Sequence, residues 1–295
     1  MGQQHGSGRG AAAAVVAAGL VGLVGVATTG CSSSGAAADD QGPGGDPAAA
    51  VRAAAGSLVR AGSSQARTSM EMDSGGTRVT VRGSGAYDYE RRLGRFQVVL
   101  PKDPAGVEEH RPVTELMADG ALYMKNRGAG VPDDKWVRVE TATLSDGNLV
   151  SGGAMDPLAA AQLLRGARQV TYVGQERLAG TEVRHYRGTL DLTAAARSAS
   201  GAHRKVFEAA AKGFSTAVVP FEAYLDEQGR LRKVRQKFSF ANTEEKGEKG
   251  DKKAQGAARS GPRVTSTILL YGFGAPVDVR LPGDGDIYSG KIADR

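Results

Sequence analysis

The chain has 295 residues, 38 Lys and Arg against 32 Asp and Glu, a net charge of +6, and only 5% aromatic residues. That length allows one or two domains with a substantial core, built here mainly from aliphatic side chains. The cations are dispersed, without a basic stripe carrying interleaved aromatics, which argues against nucleic acid as a partner, and a lone cysteine excludes internal disulfides.

That cysteine, Cys31, follows a short apolar stretch, Ala11–Ala27, and then Thr28-Thr29-Gly30. The stretch is too short for a membrane span, which needs ~20 residues. It suits the apolar region of a secretory signal over 1–30, with Arg9 in the charged leader and small residues before the cut. A cysteine at the first mature position is the lipid acceptor of a bacterial lipoprotein. Cys31 is therefore expected to carry a diacylglyceryl group and to hold the protein at the outer side of the cell membrane. One position departs from the usual pattern, Thr28 standing where Leu is common. Without residues 1–30, 265 residues of net charge +5 remain.

Residues 31–47 are small, polar and rich in breakers, as in a flexible stalk. Asp46-Pro47 opens a helix by side-chain capping and proline at the first turn, with Ala48–Ala61 as its body and Val51, Ala54, Ala55, Leu58 and Val59 at helical spacing. From Gln65 the period changes to two, and Thr77–Tyr89 alternates cleanly. Strands are predicted at Arg95–Leu100, Glu115–Ala118, Ala121–Asn126 and Lys135–Glu140, with Asp119-Gly120 as a two-residue hairpin turn. Asp156-Pro157 opens a second helix, Pro157–Leu164. Strands resume at Gln169–Gly174 and Glu182–Asp191, and Leu192–Lys212 reads as helix broken near Ser200-Gly201. Val218–Asp226 and Leu231–Ala241 form a hairpin around Glu227-Gln228-Gly229, and Arg263–Phe273 is a last strand. The intervening 242–262 carries four anions and five cations among small residues and is expected to be a mobile insertion. The sum is α+β, a single curved antiparallel sheet of roughly ten strands around a few helices, in one domain over 48–295.

The search for chemistry returns little. After residue 30 the histidines are His110, His185 and His203, in a loop, a strand and a polar helical turn, without metal-ligand spacing. No GxSxG or P-loop pattern occurs. No enzyme, cofactor or metal is expected. The strands say more: Gly83, Gly85 and Gly188 withdraw volume from apolar faces, which means a bend, a close backbone approach, or an apolar hollow. Alternation places Val79, Val81, Tyr87, Val98, Leu100, Tyr186, Leu190, Phe221, Val234, Phe238, Ile268 and Leu270 on the inner face, as candidates to line such a hollow.

Several short motifs recur in a fixed order: Leu122-Tyr123-Met124-Lys125, Lys135-Trp136-Val137-Arg138-Val139, Asp156-Pro157-Leu158, His185-Tyr186-Arg187-Gly188-Thr189-Leu190-Asp191 and the run from Tyr224 to Leu231. With the lipobox cysteine, this order resembles the actinobacterial LppX/LprA/LprF/LprG lipoproteins and their LolA-like relatives over roughly Ala48–Pro282. The resemblance implies a half-barrel enclosing a hydrophobic cavity for acyl chains, no catalytic residues, and a role in carrying lipids across the envelope. The expectation is a monomeric lipoprotein, anchored at Cys31, that binds a lipid or other lipophilic ligand. The alternative is a surface lipoprotein that acts as a scaffold or regulatory partner and holds no ligand.

Overall fold

The computed structural model describes residues 45–74, 76–101, 111–126, 130–240 and 261–290. The signal, Cys31, most of the stalk, His110 and all but the last two residues of the 242–262 insertion lie outside the described residues. Helix α1 (Pro47–Arg60) begins as its sequence dictates: the Asp46 carboxylate accepts from the Ala48 amide at 2.8 Å, with proline in the first turn. Its apolar stripe, Val51, Ala54, Ala55 and Leu58, is fully buried, while Val59 is half exposed.

Six antiparallel strands follow: β1 (Ser63–Ser74), β2 (Thr77–Asp88), β3 (Leu93–Val99), β4 (Val113–Ala118), β5 (Ala121–Lys125) and β6 (Val137–Glu140). The chain then crosses the sheet through α2 (Pro157–Leu163) and returns along β7 (Ala167–Leu178) and β8 (Thr181–Asp191). Helices α3 (Leu192–Ser198) and α4 (Ala202–Gly213) come next, then β9 (Val218–Leu225), β10 (Leu231–Ser239) and β11 (Arg263–Tyr271). The break between α3 and α4 falls at Gly201, whose φ of 62° is left-handed.

The eleven strands make one open antiparallel sheet in the order β6-β5-β4-β3-β2-β1-β11-β10-β9-β8-β7, not closed into a barrel. The first half runs outward from the centre and the second runs inward from the far edge. They meet at β1 and β11, which pair from Gln65 with Tyr271 to Asp73 with Arg263. The strand that raises the count to eleven is β1, which turns Ala66, Thr68 and Met70 inward and leaves Arg67 and Glu71 exposed.

The four helices cover one face of the sheet, and both contribute to a single buried cluster. Arg52 of α1 clamps the start of β7, its guanidinium donating to the Ala167 carbonyl at 2.8 and 3.1 Å. On the other face, the segment after β11 straps β4, β5 and β6. Val279 closes a second small cluster with Leu116, Ala121 and Tyr123, and Trp136 and Ile287 are joined by a bridge whose backbone bonds are 2.8 Å long. At the opposite edge, β7 departs from regular pairing twice, between Arg168 and Thr171 and between Tyr172 and Gly174.

Candidate functional site

The space between sheet and helices is where the alternation pattern pointed. Val81, Tyr87, Val98, Tyr186, Leu190, Phe221, Val234, Phe238, Ile268 and Leu270 are all buried members of the main cluster. Leu100 packs at its margin, partly buried. Val79, near the start of β2, is half-buried and outside the cluster. Register explains the grouping: Ile268 stands opposite both Thr68 and Val234, Val98 opposite Gly83, and Leu270 opposite Ala66.

An irregular segment, residues 145–156, fills much of that space. Between a short helical turn at Thr141–Thr143 and α2, the backbone from Asp146 to Val150 and from Gly152 to Met155 is buried without belonging to helix or strand. Buried backbone must find partners, and a carboxylate supplies them: Asp146, wholly buried, accepts from the amides of Asn148, Val150 and Ser151 at 3.1, 2.8 and 2.8 Å. Glu115, equally buried on the inner face of β4, accepts from the Ala154 amide at 3.2 Å. Gly153 lets the chain bend with φ of 105° directly beneath Glu115, where a side chain would collide with the carboxylate. The strand glycines serve the same packing. Gly83 leaves room for the Thr68 hydroxyl and Ala154, and Gly94 leaves room for the Tyr87 ring laid across it.

Asp156 closes the segment. One carboxylate oxygen accepts from Leu158 and Ala159 amides at 2.7 and 3.0 Å and so caps α2; the other accepts from the Tyr87 hydroxyl at 3.0 Å. His203 of α4 approaches it at 4.0 Å. The helical turn expected to be polar thus turns its histidine inward, 6% exposed and tilted against Phe207. Burial and the neighbouring carboxylate push the Tyr87 hydroxyl pKa well above its ordinary value. A cavity of about 30 Å³ remains here, lined by Met117, Leu122, Asn148, Leu149, Asp156 and His203 among others. That volume admits one or two waters, against the ~300 Å³ at the small end of ligand pockets.

Polar groups on the inner face escaped the sequence reading. Gln236 donates to the Ala160 carbonyl at 3.2 Å, and the Ser266 hydroxyl lies 3.3 Å from the Met155 sulfur. They share the parity of Val234, Phe238, Ile268 and Leu270, but their polarity gave no reason to single them out. His185, on the outer face, stacks on Tyr224 with ring centroids 4.2 Å apart and contacts Glu176 at 2.7 Å through Nδ1. Among the described residues, no group of three His, Cys, Asp or Glu side chains is placed to hold a metal ion. None of their helices is long and apolar enough to cross a membrane.

No protein-family model and no curated protein sequence matches the chain. Solved structures do. LprF from Mycobacterium bovis is similar over 80% of this chain and 96% of its own, at 12% identity and a TM-score of 0.41. The lipoprotein LppX from Mycobacterium tuberculosis is similar over 80% of this chain and 100% of its own, with the same identity and TM-score. A LolA superfamily protein from Nitrosomonas europaea covers 82% and 96%, at 10% identity and 0.32. Two of the four lipoprotein names that the motif order suggested, LprF and LppX, are met among these structures.

Proposed function

We propose that this chain is an extracytoplasmic lipoprotein, anchored through Cys31, that binds a lipid or other lipophilic ligand between its sheet and its helices. The observation that carries this reading is how the apolar inner face is covered. Its cover consists of alanine-rich helices and the 145–156 segment, and no strand of the sheet pairs with that segment. Side chains tie cover to sheet: Arg52, Tyr87, Glu115 and Gln236 make the bonds described above. The cover can therefore lift without breaking a β-ladder. An acyl chain that replaced it against Val81, Val98, Val234 and Ile268 would recover ~0.8 kcal/mol for each CH₂ buried. No acid, base or metal is needed for such binding, and carriage across the envelope would follow from release at a second membrane.

A second reading has its own observation. The 145–156 segment occupies much of the interior, and the pocket beside Asp156 holds only about 30 Å³, as suits a filled scaffold that binds an envelope protein instead. Mass spectrometry of organic extracts from protein purified without detergent separates the two. One bound lipid per chain, and uptake of a fluorescent fatty acid, are expected; no lipid and no uptake would leave the scaffold.

A further inference from the structure

The outer face of the sheet is divided. Over β4 to β6 it is covered by the C-terminal strap, which reaches them past Ser63 at the start of β1; further along β1 and its neighbours from β8 to β2, Arg67, Glu71, Arg82, Arg187 and Lys237 are exposed. The pairing registers place the side chains of that open half in rows. One row runs Arg187, Glu222, Arg235, Thr267, Ser69, Arg82. A row on one side holds Lys233 and Arg67, and a row on the other holds Lys237 and Glu71. Six cations thus face outward in these rows against two carboxylates. Glu222 stands 4.0 Å from Arg187, and no ion pair is recorded for Arg82, Arg235 or Lys237 among the described residues.

The surface is also shaped. A hollow of about 480 Å³ is bordered by Arg187, Thr171, Thr189 and one carboxylate, Glu222, and a neighbouring one of about 310 Å³ by Arg78, Arg263, Ser239 and two carboxylates, Glu71 and Asp73, so that cations outnumber anions in each once the two shared ones are counted. Arg235 and Lys237 border both. Cationic hollows with hydroxyls at their rims match the phosphate oxygens of lipid headgroups in charge and hydrogen-bonding capacity.

We propose that this open half of the outer sheet face docks onto an anionic phospholipid surface, with Arg235 and Lys237 at its centre. Strands lie ~4.8 Å apart, so the row from Arg187 to Arg82 spans roughly 24 Å, several headgroups wide. The inference rests on the anchored reading for one point only, that a membrane is within reach. Fourteen residues separate Cys31 from Asp46, and the fifteen Cα-to-Cα steps between them span at most ~50 Å, enough for the sheet face to meet the bilayer to which the proposed anchor ties it. Docking this way leaves the helices, and the cover they form, facing away from the anchoring membrane.

The test uses the mature chain, residues 31–295, carrying Cys31→Ser, so that neither a lipid anchor nor the apolar stretch Ala11–Ala27 contributes, in cosedimentation with vesicles. The protein is expected to bind vesicles of equal parts phosphatidylglycerol and phosphatidylcholine, not pure phosphatidylcholine, and to be released by 0.5 M salt as screening requires (~4–5 Å Debye length). In the same background Arg235→Ala with Lys237→Ala should bind about 25-fold more weakly, about fivefold for each cation removed. Lys205→Ala with Lys212→Ala, two exposed cations of α4, should bind as the parent does. Equal binding to neutral vesicles, an undiminished double variant with its melting temperature unchanged, or an equal loss in the α4 control would each overturn the proposal. Binding to a soluble polyanion in place of vesicles would overturn it too, in favour of another partner. None of these results bears on whether lipid co-purifies inside the protein.

Discussion

Asp156 serves three elements at once. It caps α2, receives the Tyr87 hydroxyl from β2, and stands near His203 on α4. A hydrogen bond to a charged acceptor is worth ~1.5–3 kcal/mol, so Tyr87→Phe should lower the free energy of unfolding by about that amount, read from urea denaturation. Tyr224 makes a different prediction. Burial, reinforced by Glu222, pushes its pKa up to about 12, while the unfolded chain ionises near its ordinary 10. The folded protein then holds the proton where the unfolded one has lost it, so the stabilisation is intact below about pH 10 and declines as pH rises toward 12. Urea midpoints should fall between pH 9.5 and 11.5, and Tyr224→Phe should flatten part of that decline. A midpoint independent of pH across this range would contradict the assignment.

At the scale of elements, what could be read from sequence depended on how contrasted each pattern was. The helix starts at Asp46-Pro47 and Asp156-Pro157 were legible because capping is local chemistry. Strand β2, with Val79, Val81 and Tyr87 alternating against Arg78, Thr80 and Arg82, was equally plain. Its neighbour β1 was blurred, since its inner face carries Ala66 and Thr68, and small or polar side chains look like surface. The 145–156 segment was illegible for a deeper reason. It has no period, and its burial depends on Glu115, distant in sequence, and on Asp146 turning inward. Removing that tie gives a test: Asp146→Ala should raise amide exchange at Asn148, Val150 and Ser151 well before that of β10, and should increase uptake of a lipophilic probe if the segment is part of the cover. Gly94→Ala should cost about 1–3 kcal/mol, because its methyl would lie 2.6 Å from the Tyr87 ring in a packed interior.

For the whole molecule, the meeting of β1 with β11 joins residues some two hundred positions apart, which no local pattern can announce. The resemblance to lipoproteins supplied the sheet's general form, and parity supplied ten of the buried inner residues. Whether that face is open or filled depends on the crossing segment. The anchor proposed at Cys31 is tested on the whole chain as well: Cys31→Ser should leave the melting temperature unchanged and move the protein from the membrane fraction into the medium or periplasm on fractionation. Retention at the membrane after signal cleavage would refute the assignment of Cys31.

An open sheet has two edges, and here they are finished differently. The β6 edge is four residues long and bridged by the C-terminal strap, while the twelve-residue β7 edge is kinked by two bulges, with Gln169 at a φ of 50° beside one of them. A straight unpaired strand is a template for another chain. Copies tied to one surface meet far more often than copies free in solution, so such a template would be most dangerous for a tethered protein. With the anchor proposed at Cys31, the finished edges would let this sheet be crowded along a membrane without the copies knitting into a continuous ribbon.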